Sequence, residues 1–321
     1  MSTDTKKDQA AGDTEVYSTS FDQQVSRFFE TEPQVSVKVE VAGKSHPGMV
    51  RPNNEDHYMV SRRYRGRELL ATSVPEGVVR TTEDHAYTLA VADGMGGRKF
   101  GEVASLLALL TGWELGGDEV KWALRMNNQE AAELREKAEV FFQLLNKKLH
   151  EEARENPRMA GMGTTLTLCY TTGHELFVMH AGDSRAYLYR EGALRRLTRD
   201  HNMAQMLVDC GLAEPGSPEA SRMKHVLTNV VGGPDEGVDV DVNRFHLADG
   251  DVLLLCTDGL NDMVTDKEIA AILSEKPVVG DACPALIELA LEHGGKDNVT
   301  VVLARYRFED KPDDAAAGDG K

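Results

Sequence analysis

The sequence predicts an α+β fold in which antiparallel β-sheets pack on one another under a cover of helices. Three observations point there. Short apolar segments of strand length recur along the chain, two of the links between them are short and contain glycine, and helical periodicity comes in blocks that do not follow every strand. Regular strand–helix alternation would indicate a doubly wound parallel sheet.

Residues 1 to about 33 are rich in Ser, Thr, Asp and Gln with few apolar positions, and they read as disordered. The acidic tail 309–321, EDKPDDAAAGDGK, reads the same way, which leaves one domain over 34–308. Strands are expected over 35–41, 69–73, 87–92, 164–170, 176–180, 186–189, 252–256 and 299–306. The links Thr171-Thr172-Gly173-His174 and Arg190-Glu191-Gly192 predict antiparallel hairpins. A helix is expected over 129–153, where Leu134, Ala138, Phe141, Leu145 and Leu149 recur at steps of three and four before Pro157. The stretch 103–115 is a second helix, more apolar and therefore expected to be more buried. No internal repeat occurs at a fixed period.

Composition narrows the function classes. Lys and Arg number 36 against 53 Asp and Glu, and the net charge of -17 argues against nucleic acid or an anionic membrane as partner. Cys169, Cys210, Cys256 and Cys283 lie far apart without a CxxC pair, so neither a zinc ligand set nor a disulfide framework is indicated, and a reducing compartment fits. The N-terminus lacks the layout of a secretory signal, and no apolar run approaches the roughly 20 residues that cross a bilayer. A cytoplasmic location is expected.

The chemistry is signalled by apolar strands that run directly into aspartate. Leu89-Ala90-Val91-Ala92 ends in Asp93-Gly94, Leu253-Leu254-Leu255-Cys256-Thr257 ends in Asp258-Gly259, and Asp297-Asn298 leads into Val299-Thr300-Val301-Val302. A carboxylate at the end of a core strand is costly to desolvate unless a cation or hydrogen bonds compensate. Hard divalent ions such as Mg2+ or Mn2+ take oxygen ligands, and a glycine after the aspartate lets a backbone carbonyl approach the ion. A lone Asp-Gly pair more often caps a turn. Three at strand ends, with Glu55-Asp56 in RPNNED, favour a metal site. Arg51, four residues before Glu55, offers a guanidinium fork for phosphate oxygens, although a lone loop arginine is more often a surface ion pair.

Read in order, RPNNED, VADGMGG, GMGTTLT, HAGDSRAYLYR, LTRDHN, LLLCTDGL and GGKDNVTVVLA resemble the type 2C, or PPM, family of metal-dependent protein phosphatases, in its bacterial form, across nearly the whole ordered chain. The resemblance implies a four-layer α-β-β-α sandwich with two metal ions, Mn2+ or Mg2+, in a cleft at one end. By motif, Asp93 serves both ions, Gly94 supplies a carbonyl, Asp258 and Asp297 complete the second ion's shell, and Glu55 binds directly or through water. Asp56 orients water and Arg51 holds phosphate. Asp183, in GDSR, matches a position for a third, weaker ion, with a turn hydrogen bond as the alternative. The implied reaction is hydrolysis of phosphoserine and phosphothreonine in proteins by metal-activated water, with Ser/Thr kinases and their substrates as partners. Met95 and Arg98 stand where histidines occur in relatives, and methionine cannot donate a proton to the leaving group. The stretch 202–231 resembles the family's flap beside the cleft, its polar middle at 214–222. The segment 62–85 reads as a loop of unassigned purpose. A catalytically silent binding module and a hydrolase of small phosphate esters are the competing classes.

Overall fold

Val252–Cys256 (β11) shows why the chain layers as it does. In a strand successive side chains face opposite ways. Leu254 and Cys256 face one apolar cluster while Leu253 and Leu255 face another, and all four are fully buried. The strand therefore has to lie between two covered faces. The computed structural model describes residues 35–65, 71, 73, 84–96, 100–118, 128–234 and 237–310. The compact unit discussed below comprises Val37–Arg65 and Asp84–Glu309; a second unit, Met1–Ser36, Gly66–Glu83 and Asp310–Lys321, lies almost wholly outside the described residues.

β11 belongs to a five-stranded sheet with the order β1 (Val35–His46), β12 (Val299–Asp310), β11, β7 (Arg185–Arg190), β8 (Ala193–Arg196). The second sheet runs β10 (Asp241–His246), β6 (Glu175–Ala181), β5 (Leu166–Thr172), β3 (Asp84–Met95), β4 (Gly163–Thr164), β9 (Val231–Gly232), with β2 (Asp56–Arg65) paired to β3. The registered pairs are antiparallel, as expected.

Three apolar clusters fill the layers. Leu89, Val91, Cys169 and Val178 meet Leu188, Leu253, Val302 and Tyr306 between the sheets. Ala90, Leu168 and Met179 pack under helices α1 (Gly101–Asp118) and α2 (Asn128–Glu155). Leu254, Val301 and Leu303 pack under α5 (Asp258–Asn261), α6 (Asp266–Glu275) and α7 (Val279–Glu292). Short helices α3 (Met203–Asp209) and α4 (Pro218–Met223) occupy the segment between β8 and β9. The result is the expected four-layer α-β-β-α sandwich. Both hairpins form: Thr172 pairs with Glu175, and Arg190 pairs with Ala193 around Glu191 and Gly192, both at positive φ.

The α2 stripe of Leu134, Ala138, Phe141, Leu145 and Leu149 is buried as predicted. Helix α1 is not the buried rod its composition suggests. Ala104, Ala108 and Leu109 face the sheet, while Leu106, Leu110 and Trp113 are exposed among the described residues, because at 100° per residue one side of a helix on a sheet turns outward. The 62–85 loop also needs correction: Arg62–Arg65 ends β2, and His85 lies in β3. β2 was missed because among the described residues it pairs with β3 alone and carries polar residues on both faces. Of the strand expected over 69–73, Ala71 and Ser73 are not in a strand and the rest lies outside the described residues, as do 1–33, 311–321 and Arg98.

No described helix is long and apolar enough to cross a membrane. All four cysteines are free.

Candidate metal centre

The strand-end aspartates converge. β2 begins at Asp56 directly opposite Asp93 on β3, which places two carboxylates on neighbouring strands at the same end of one sheet. From the other sheet, Asp258 leaves the end of β11 as the first residue of α5, and Asp297 stands two residues before β12. Burial raises the Asp93 carboxyl well above its ordinary range, and Asp56, Asp258, Asp183 and Asp297 push it further. Asp258 is raised in the same way, by burial and then by Asp183, Asp262, Asp297 and Asp56. Among the described residues, Arg51 pairs with one of these carboxylates, its Nη2 donating to Asp297 Oδ2 at 2.6 Å, while Arg185 beside Asp183 is taken up by Asp200.

Asp56 is the most informative of the set. Its Oδ2 accepts from Thr257 Oγ1 at 2.7 Å and Thr300 Oγ1 at 2.8 Å, yet its buried Oδ1 has no hydrogen-bond partner. Burial lifts this carboxyl to about 7, against the two hydroxyls that pull it down. Asp258 Oδ1 is likewise buried and unpartnered. Orphaned buried carboxylate oxygens are costly, and hard divalent cations remove that cost.

Gly94 and Glu55 face the same point. A Cβ at Gly101 would lie 2.7 Å from the Gly94 carbonyl oxygen and 2.8 Å from Glu55 Oε2, so the two oxygens flank the first turn of α1 together. A Cβ at Gly94 would run into the Gly101 carbonyl, so only glycine lets α1 close over this backbone. The Glu55 carboxyl is raised by burial, with Arg51 opposing. The donor set of carboxylates and a carbonyl is what Mn2+ or Mg2+ prefers, and the residues present fit such ions.

Asp183 sits in the turn between β6 and β7 and is buried, its carboxyl lifted to about 7 by burial and Asp200, with a hydrogen bond from Asn202 opposing. Arg185 grips Asp200 through Nε at 3.0 Å and Nη2 at 2.7 Å, which braces the turn. Thr165 links the two regions: its hydroxyl receives the Asp93 N–H at 2.9 Å and pairs with Ser184 Oγ at 2.8 Å. Met95 ends β3 opposite Gly163.

Sequence reasoning overlooked the residues that assemble the site. Asn298 Oδ1 accepts from Glu55 N at 2.8 Å, and its Nδ2 donates to the carbonyls of Pro47 at 3.0 Å and Asn53 at 2.8 Å. One side chain thus shapes the loop that carries Arg51 and Glu55. Thr257 and Thr300 were passed over as strand residues. The signal was present in Thr300, a hydroxyl inside an otherwise apolar run.

A cluster of buried carboxylates at one end of an α-β-β-α sandwich defines the class as one built to hold hard divalent cations. Comparison with known proteins is specific about which. The family model for protein phosphatase 2C matches residues 78–279. The serine/threonine phosphatase stp of Listeria monocytogenes is 32% identical over 248 residues, covering 75% of this chain and 92% of its own. The serine/threonine protein phosphatase PstP of Mycobacterium tuberculosis is 34% identical over 271 residues, 84% of this chain, and this chain spans about half, 46%, of PstP's length. The solved catalytic domain of PstP in complex with two manganese ions superimposes with a TM-score of 0.65 at 33% identity, covering 85% of this chain and all of that domain. The chain belongs to the protein phosphatase 2C family.

Proposed function

We propose that the chain is a metal-dependent protein serine/threonine phosphatase that hydrolyses phosphoserine and phosphothreonine in proteins, with Mn2+ or Mg2+ as cofactor. The observation that carries this reading is the convergence of Asp56, Asp93, Asp258 and Asp297, with buried oxygens of Asp56 and Asp258 left unpartnered. Asp93, Glu55 and the Gly94 carbonyl would hold one ion, and Asp93, Asp258 and Asp297 the other. Asp183 would hold a third, weaker one. Bound ions supply charge stabilisation at phosphorus and lower the pKa of water.

The chain's own groups do the positioning. Asp56, fixed through Oδ2 by Thr257 and Thr300, keeps Oδ1 to accept from solvent and aim it. Arg51 spends one N–H on Asp297 and is 55% exposed, so its fork can also take phosphate oxygens at the cleft mouth. Met95 cannot protonate the leaving oxygen, so that proton comes from solvent. The catalytic domain covers 34–308, with 202–231 as a flap beside the cleft. Ser/Thr kinases and their substrates are its partners, in the cytoplasm, in keeping with the net charge and free cysteines.

The test is hydrolysis of a phosphothreonine peptide with Mn2+, Mg2+ or EDTA, by the wild type and Asp93→Asn. Activity should need the metal and vanish in the variant while its circular dichroism is unchanged. Near wild-type turnover by Asp93→Asn at saturating Mn2+ would refute the site. Turnover of a small phosphate ester but no phosphopeptide would refute the substrate class.

A further inference from the structure

Two apolar side chains stand in water directly before Arg51. Met49 is 69% exposed and Val50 67%, on the loop that joins β1 to β2. Single exposed apolar residues are common and need no explanation. This pair differs in that its backbone is pinned. Met49 N donates to the Gly295 carbonyl at 2.7 Å, Gly48 N donates to His46 Nδ1 at 3.0 Å, and Asn298 Nδ2 donates to the Pro47 carbonyl at 3.0 Å. Gly48, at φ 76°, lies so close to the Asp297 carbonyl that a Cβ there would overlap it. A Cβ on Gly295 would come 3.0 Å from Met49 Cγ, so the methionine lies over that glycine. The segment 295–298 thus fixes the apolar pair, and through Asp297 it also holds the Arg51 guanidinium. One frame sets the spacing between them, which is what reading a side chain at a set offset from a phosphate requires.

We propose that Met49 and Val50 form a specificity ledge that receives an apolar side chain within two residues of the phosphorylated Ser or Thr. The proposal rests on the reading of Arg51 as the phosphate grip. Successive residues of an extended chain advance about 3.3 Å, so a peptide whose phosphate rests on Arg51 passes Met49 and Val50 within about two residues. The chemistry of the occupant follows from the ledge. A thioether and an isopropyl group give no strong hydrogen bond, and they gain from covering leucine, isoleucine or valine. An acidic side chain would instead be brought toward Glu55 and Asp297 with nothing on the ledge to pair it.

The full chain at saturating Mn2+ is given phosphothreonine peptides in which each position from two before to two after the phosphothreonine is in turn leucine, serine, glutamate or arginine. N-acetyl-phosphothreonine amide, which has no flanking side chain, is run beside them. The wild type should favour leucine over serine at one or two positions by about five- to tenfold in kcat/KM, carried by KM because the contact is remote from phosphorus. In Met49→Ser and Val50→Ser that ratio should fall toward one, and in Met49→Glu arginine should become the favoured residue at the same position. Each comparison is a ratio within one protein, so a fraction of unfolded variant leaves it unaltered. Peptides and amide turned over by the wild type without a leucine preference, or a preference that survives in both serine variants, would overturn the ledge and leave the phosphatase reading standing. Failure to hydrolyse peptides and amide alike would sink both.

Discussion

Asp56→Asn in the metal-free protein tests the electrostatics of the cleft without reference to turnover. Asp56 is buried, keeps two hydroxyl donors on Oδ2 and leaves Oδ1 unpartnered, and its carboxyl titrates near 7 instead of 3.8. A raised carboxyl means that the folded state holds the proton more tightly than the unfolded state. The contribution to stability is therefore full below about 3.8 and is lost as pH climbs through about 7. At about 1.4 kcal/mol per pH unit, the loss is on the order of 4 kcal/mol at pH 8. An asparagine keeps an acceptor for Thr257 and Thr300 and removes the buried charge. Its metal-free form should gain up to about 4 kcal/mol at pH 8, on the order of 10 °C in Tm for a domain of this size. The gain should shrink toward zero at pH 4. Saturating Mn2+ should stabilise the wild type more than the variant, because the wild type has more repulsion to relieve. Calorimetric scans of both proteins between pH 4 and 8, with EDTA and with Mn2+, read all three. An unchanged or lower Tm for the variant at pH 8, with the wild-type pH slope intact, would refute the reasoning.

Arg51→Ala should cut kcat/KM about ten- to a hundredfold and weaken inhibition by inorganic phosphate while tight metal binding persists, with Arg51→Lys recovering part of the loss; steady-state kinetics at matched Mn2+ occupancy decide, and unchanged phosphate inhibition would leave Arg51 as no more than the partner of Asp297. Asp183→Ala should raise the Mn2+ concentration for half-maximal activity with the two tight ions still bound, and a metal titration identical to wild type would remove Asp183 from the site. Asn298→Ala deletes three hydrogen bonds to the loop bearing Arg51 and Glu55; it should lower stability by about 1–3 kcal/mol in urea melts and weaken Mn2+ binding together. Wild-type Mn2+ affinity in that variant would mean that the loop is held by other contacts.

The parts legible in the sequence were those whose signal is local. Leu253–Cys256 is apolar at every position, which a strand covered on both faces requires, and Asp258 follows within two residues, so its oddity is visible without a partner. The α2 stripe is visible because its period is set by the helix itself. β2 was not, since Asp56–Arg65 looks polar until β3 is laid beside it. The exposed side of α1 was not either, because composition cannot say which side of an apolar helix meets the sheet.

From the sequence alone come the residue types that seek cations, their places at strand ends and the ordered motifs of the family, because each is carried by a few consecutive residues. Only the tertiary structure decided which carboxylates share a site and which oxygens in it go unpartnered. Asp56 and Thr300 are 244 residues apart and Glu55 and Asn298 are 243 apart, and those contacts exist only once the two sheets have packed. The same packing lays Met49 over Gly295, a neighbourhood that depends on the path of a loop and leaves no periodic trace in the chain.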